Sequence, residues 1–93
     1  MDLVFDIETD DLKATLVHCI VAQDMDTGEI FKFPPDKLSE GYELLTKADT
    51  LIGHNIIGFD IPMVEKFGGV DLSHIPVIDT LVLSRLFNPN REG

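Results

Sequence analysis

Basic residues are scarce in this sequence, with seven Lys and Arg side chains against 17 Asp and Glu and a formal net charge of −10 at pH 7. Proteins that bind nucleic acid unaided neutralise its phosphates with Lys and Arg, so this balance has the wrong sign for that class. A polyanionic substrate would be repelled unless some of the acids hold divalent cations. Two such ions would contribute about four positive charges where a phosphate would sit.

Cysteine is also scarce, and no apolar run reaches the length of a membrane span. The single cysteine, Cys19, excludes an internal disulfide, and its place in the apolar run 16–22 predicts a buried thiol. The first residues lack the basic start of a secretory signal. Together these features predict a globular, cytoplasmic protein with no membrane contact. Ninety-three residues allow one small domain.

The stretch 3–10 is an apolar run that ends in acidic residues. On a strand, Asp6 and Glu8 would project to one side, and Leu3, Phe5 and Ile7 to the other. Strands that are apolar on both faces are typical of the centre of a covered sheet, where ligands bind beyond the carboxyl ends. Two acids that close a strand are also common as solvated turn residues. This alternative stays open when the motif is considered alone.

A hairpin is predicted next, because the stretches 15–24 and 29–33 read as strands and the connection Met25–Gly28 ends in glycine. Pro34 and Pro35 close the third strand. A helix capped by Asp36 or Ser39 should then run to about Ala48. Its inward face would hold Leu38, Tyr42 and Leu45.

The second half alternates short strands with helices, which requires parallel pairing. Strands are predicted at 50–53 and 76–79, with an exit loop over 53–60. One helix should follow Asp60 and stop at Gly68-Gly69, and another should cover 80–87 before Asn88-Pro89. We expect the inward face of the first of these helices to hold Ile61, Val64 and Phe67. The prediction is an α/β fold with a mixed sheet of about five strands, the first at its centre, and about three helices.

A metal site would form if the first and fourth strands are parallel neighbours, because Asp60 would then approach Asp6 and Glu8. Oxygen-only ligands suit Mg²⁺ or Mn²⁺, and two such ions can activate a water and stabilise the leaving oxygen in phosphodiester cleavage. Purely structural roles for the acidic and histidine residues remain alternatives to the metal site. Asp60 and Asp79 each precede a predicted helix and would serve as N-caps, and His54 would fix its loop by a hydrogen bond.

The acidic motifs described above resemble those of a known enzyme family. The segment 6–9, Asp-Ile-Glu-Thr, resembles the first motif of the DEDD 3′-to-5′ exonucleases, which have a ribonuclease H-like fold, and Asn55 with Phe59-Asp60 resembles the second. The segment 79–86 is similar to the one that follows in proofreading domains of phage DNA polymerases of family A. The resemblance implies that Asp6, Glu8 and Asp60 are catalytic ligands of two Mg²⁺ or Mn²⁺ ions. It also implies substrate contacts from Thr9, Leu12 and Asn55.

The family's fourth carboxylate has no counterpart, because no Asp follows Thr80 and Glu92 lacks the motif's context. The resemblance therefore implies that residues 1–93 are the N-terminal part of a single 3′-to-5′ exonuclease domain, incomplete in fold and inactive alone. The full-length protein would hydrolyse phosphodiesters at single-stranded DNA 3′ ends beside a polymerase domain in the same chain. A missing helix would also bare apolar sheet surface, which predicts self-association.

The alternative function is a non-catalytic ribonuclease H-like module that serves as a structural or partner-docking piece, with its acids solvated. A phosphoacceptor receiver domain shares acidic strand ends, but the hairpin start and the lack of a late-strand Lys fit it poorly. Fold class alone does not separate these functions; the site residues must.

Overall fold

One mixed sheet of five strands organises the chain in the computed structural model, which describes residues 1–9 and 17–87, except for the side chains of 84–87. The strands are β1 (Asp2–Thr9), β2 (Val17–Asp24), β3 (Ile30–Phe33), β4 (Thr50–Gly53) and β5 (Val77–Asp79). The helices are α1 (Leu38–Thr46), α2 (Ile61–Gly68) and α3 (Thr80–Phe87). Within the described ranges, no helix is long and apolar enough to cross a membrane.

The strand order is β3-β2-β1-β4-β5, so the first strand lies at the centre as the sequence predicts. β1 pairs antiparallel with β2 and parallel with β4, and β4 pairs parallel with β5. β2 and β3 form the predicted hairpin, whose turn ends at Gly28 with φ of 79°. A left-handed φ carries no steric cost at glycine, which explains that residue at this position.

The core lies between one face of the sheet and the helices α1 and α2. Alternation along β1 sends Leu3, Phe5 and Ile7 into it, and all three are buried. From the helices, Leu45 and Val64 are fully buried against the sheet. Burying a side chain of this size contributes roughly 1.5–3 kcal/mol, so this face supplies much of the folding free energy.

Local details of α1 and α2 differ from the sequence prediction. Neither Asp36 nor Ser39 caps α1; a 3₁₀ turn at Pro35–Lys37 leads into it, and its N-cap residue Lys37 makes no side-chain cap bond. On α2, Phe67 is 36% exposed instead of inward. Each three-residue step along a helix drifts by about 60° around the axis, so Phe67 has rotated away from the face that buries Val64.

The opposite face of the sheet is more exposed. It carries a row of apolar side chains across three strands, formed by Val4, Ile52 and Ile78, with Ile78 43% exposed. Val21 on β2 lies on the same face and is 36% exposed. We call this side of the sheet the open face. The acidic side chains of β1 project from it as well.

Candidate metal centre

β1 presents two of the predicted site residues. Asp6 and Glu8 are both exposed on the open face, while Phe5 and Ile7 between and beside them point into the core. This confirms the predicted alternation of the strand. The register with β2 shifts between Glu8 and Thr9, at the end of the strand.

The third carboxylate, Asp60, contacts β1 from a different segment. The residues Ile56–Asp60 form a π-helical turn where the sequence predicts a loop, and this turn leads directly into α2. Asp60 is 5% exposed, and its Oδ2 accepts a hydrogen bond from the backbone N–H of Ile7 at 3.1 Å. The parallel ladder between β1 and β4 ends at Val4. Asp60 therefore binds β1 beyond the point where β1 stops pairing with β4. It binds at Ile7, the residue between Asp6 and Glu8.

The N-cap interpretation of Asp60 is wrong. Its backbone is already helical, with φ of −62° and ψ of −47°, and its side chain makes no cap hydrogen bond to α2. A capping Asp has a non-helical backbone and accepts an N–H two or three residues ahead. The bond to Ile7, 53 residues earlier, shows that the carboxylate joins α2 to the sheet.

The surroundings of Asp60 disfavour the ionised form of its carboxyl group. Burial raises its pKa from the ordinary 3.8 to about 6. The Ile7 N–H opposes this rise in pKa, while the negative charges of Asp6 and Asp79 add to it. A desolvated carboxyl beside other carboxylates is an arrangement that a bound divalent cation would relieve.

The donor chemistry fits Mg²⁺ or Mn²⁺, since the groups brought together are carboxylate oxygens. The structure brings Asp60 to β1 between Asp6 and Glu8. It does not gather a complete ligand set: in the described part of the chain, no three His, Cys, Asp or Glu side chains are arranged to hold a metal ion. The assignment of Asp6, Glu8 and Asp60 as metal ligands therefore stays a prediction.

The predicted substrate-binding residues fall in different places. Asn55 is exposed at the start of the π-helical turn and has a left-handed backbone, with φ of 59°. Thr9 is half-buried at the end of β1. Leu12 lies outside the described residues. The structure thus places Asn55 and Thr9 at the carboxyl ends of β4 and β1, and their contacts with a substrate stay predictions.

Asp79 has more partners than the sequence indicates. It is 4% exposed, and its carboxylate accepts backbone N–H bonds from Asn55 at 2.8 Å, Ile57 at 2.9 Å and Leu81 at 2.9 Å. The Leu81 bond confirms the predicted cap of α3. The two bonds to the turn after β4 were not predicted, because the only local signal, Asp before a helix, points to its own helix.

His54 and Cys19 also border the site. The ring nitrogen Nδ1 of His54 lies 3.0 Å from the Thr80 hydroxyl oxygen, which confirms its predicted loop-fixing hydrogen bond. Cys19 is half-buried instead of buried, because it lies on the open face opposite Glu8. Burial and then the charge of Glu8 raise the pKa of its thiol. This microenvironment is the reverse of the electropositive one that activates a cysteine.

Taken together, the sheet order, the hairpin start and the acidic end of the central strand define a ribonuclease H-like α/β fold. Among solved structures, the family B DNA polymerase from the hyperthermophilic archaeon Pyrobaculum calidifontis is similar to this chain, with a TM-score of 0.70 and 18% sequence identity. The match covers 92% of this chain and 16% of the polymerase chain. No family model and no curated protein matches the sequence.

This likeness shows the fold alone, which this chain shares with a part of that polymerase. The polymerase found belongs to family B, so the comparison supports neither the family A assignment nor membership of the DEDD exonucleases. The chain spans only 16% of that polymerase's length, and the activity of the larger protein is therefore not shown by the match. Function has to be argued from the site.

Proposed function

We propose that this chain is part of a metal-dependent 3′-to-5′ exonuclease domain of a DNA polymerase, which removes nucleotides at single-stranded DNA 3′ ends. The observation that carries the proposal is the Asp60 carboxylate bound to the Ile7 N–H, between Asp6 and Glu8. It brings residues of both resembling motifs to one end of the central strand. The fold shared with a DNA polymerase and the ordered motifs support the same assignment.

In this proposal, Asp6, Glu8 and Asp60 hold Mg²⁺ or Mn²⁺. The bound ions would supply a nucleophilic water at neutral pH and stabilise charge on the leaving oxygen. The chain's own contribution is positional: β1 fixes Asp6 and Glu8 on the open face, and the Ile7 N–H fixes Asp60. Thr9 and Asn55 are the proposed contacts for the DNA terminus. The acidity of the chain would otherwise repel DNA, so the ions also admit the substrate.

The proposal is tested by titrating Mn²⁺ into the chain while following the heat of binding, with parallel Mg²⁺ additions followed through amide chemical shifts. We expect weak, saturable binding that perturbs Asp6, Glu8 and Asp60 together and disappears in Asp6→Ala. The matched control is Asp2→Ala, because Asp2 lies on the same strand and the same face at its other end. Equal loss in both variants, or no localised binding, would contradict a site at these residues.

Activity provides a second test. The family pattern requires four carboxylates and this chain supplies three, so we expect little degradation of single-stranded DNA by the 93 residues alone. Appreciable degradation that Asp6→Ala abolishes would show that the fourth carboxylate is dispensable.

The second candidate is a non-catalytic ribonuclease H-like module with solvated acids. One observation favours it: the described residues contain no group of three side chains arranged to hold a metal. Under this candidate, Mn²⁺ would bind no more tightly than at an ordinary acidic surface. The titration above therefore discriminates between the two functions.

A further inference from the structure

The junction of β5 and α3 is tied to the turn after β4 through one buried side chain. Asp79 Oδ1 accepts the N–H groups of Asn55 and Leu81, and its Oδ2 accepts the N–H of Ile57. Two of these three donors belong to a segment more than 20 residues earlier in the chain. A residue that served only as the cap of α3 would need the Leu81 bond alone.

The turn whose N–H groups donate two of these bonds has a backbone geometry that depends on such contacts. Asn55 holds a left-handed φ of 59°, a conformation that residues other than glycine adopt rarely and at a cost. The π-helical turn that follows is itself an uncommon geometry, often found at functional sites. Such conformations persist when surrounding contacts determine them. Asp79 supplies two contacts at the start of the turn, and the buried Ile56 supplies the packing.

The turn connects Asp79 to the candidate metal centre. Its first residues are held by the Asp79 carboxylate, and its last residue, Asp60, is held by the Ile7 N–H. Between these points, the Phe59 N–H bonds the Asn55 carbonyl at 3.1 Å, so the turn is closed on itself. Moving the start of the turn would therefore move Asp60.

We propose that Asp79 is a positioning residue: it holds the turn 55–60 so that the Asp60 carboxylate reaches β1 between Asp6 and Glu8. Burial by itself would raise the pKa of Asp79, but backbone N–H donors outweigh this and keep its pKa below the ordinary range. Asp79 is thus an anion whose charge is stabilised by its backbone N–H donors. The consequence for metal binding rests on the function proposed above, whereas the positioning itself does not.

Asp79→Ser separates the two roles. Serine is a good N-cap and retains an acceptor for the first turn of α3, but it has one side-chain oxygen and is too short to serve Asn55 and Ile57 as well. Asp71→Ser is the matched control, because Asp71 makes the same kind of local bond, to the Ser73 N–H at 2.9 Å, in an exposed loop. Asp79→Asn is a milder variant that places an amide N–H₂ group against the Ile57 N–H or against the donors at Oδ1.

The test is hydrogen exchange of individual backbone amides in the ¹⁵N-labelled chain without metal. In Asp79→Ser, we expect the Ile57 and Ile7 amides to exchange at least about tenfold faster, since each loses an acceptor or its fixed position. Leu3, deeper in β1, should keep its protection, as should Leu81 through the serine cap. Asp71→Ser should leave all four amides unchanged.

An unchanged Ile7 amide beside a faster Ile57 amide would overturn the proposal, because Asp79 would then fix the turn without positioning Asp60. If Asp79→Ser does not fold, Asp79→Asn is measured instead, with faster exchange expected at Ile57 and Ile7 but not at Leu3. Uniform loss of protection along β1 in Asp79→Asn would also overturn it. Manganese titration of the folded variant is a separate arm. Failure of the wild-type chain to bind Mn²⁺ would count against the proposed function and leave the exchange result to decide the positioning.

Discussion

Asp60→Asn should make the metal-free protein more stable at neutral pH. The substitution removes a buried charge and keeps a side-chain oxygen that can accept the Ile7 N–H. Because burial raises the pKa of Asp60 to about 6, the folded state binds this proton more tightly than the unfolded state does. The wild-type protein therefore loses stability as the pH rises from the unfolded pKa, near 3.8, through about 6.

The magnitude follows from the size of the pKa shift. A rise from 3.8 to about 6 is roughly two units, and each unit corresponds to about 1.4 kcal/mol. The full cost of the ionised carboxylate, roughly 3 kcal/mol, is present above pH 6. At pH 3.5 both states carry mostly the protonated group, so the asparagine variant should have little advantage there. This is the behaviour expected of a buried carboxylate whose negative charge lowers the stability of the folded state.

The assay is urea unfolding in EDTA at pH 7.5 and pH 3.5. The control is Asp26→Asn, which removes the same charge from an exposed turn and should change stability little at either pH. Asp60→Asn should raise the free energy of unfolding at pH 7.5 only. Equal or lower stability than wild type at pH 7.5, or an advantage that persists at pH 3.5, would refute the electrostatic argument.

Three further predictions concern the ligand, the backbone and the open face. In thermal unfolding, Mn²⁺ at about 100 times its dissociation constant should stabilise the wild type by about 2.7 kcal/mol and should stabilise Asp60→Asn far less. Equal stabilisation of the two proteins would contradict a role for this carboxylate in metal binding. Gly53→Ala should cost about 1–3 kcal/mol in urea unfolding, because its Cβ would lie 2.9 Å from the Phe5 carbonyl oxygen and overlap Ile56; a neutral result would show that β4 shifts freely. The apolar open face should cause self-association, which should increase with salt because salt screens the net charge of −10. In sedimentation experiments, Ile78→Glu should reduce this self-association. A wild-type protein that stays monomeric at high concentration would contradict the prediction.

Much of the fold could be predicted from local patterns. Alternation in 3–9 predicts a strand with Phe5 buried and Asp6 exposed, and the structure confirms both. Glycine at the end of a short connection predicts the β2–β3 hairpin. Alternating strands and helices after residue 38 predict parallel pairing, and with it the central position of β1. These patterns depend on backbone geometry and on the position of apolar residues within one element.

Predictions failed where local chemistry allowed several outcomes. Asp36 and Ser39 are both suitable caps, yet α1 begins from a 3₁₀ turn without either. Phe67 is apolar and close to the inward face of α2, but rotation along the helix leaves it exposed. Asp60 has the sequence context of an N-cap, the alternative kept open beside the metal site, but its carboxylate accepts the Ile7 N–H instead. In each case the residue type permits the predicted role, and packing between elements selects another.

The sequence by itself determines the order of the elements, the face of β1 that carries Asp6 and Glu8, and the excess of acidic residues. Only the tertiary structure decides which backbone N–H groups donate hydrogen bonds to the carboxylates of Asp60 and Asp79. The partner of Asp60 is Ile7, 53 residues away, and two partners of Asp79 lie on the turn after β4. The physical reason is that strand register sets the distances between segments remote in sequence, and a hydrogen bond forms only where those distances bring donor and acceptor within about 3 Å.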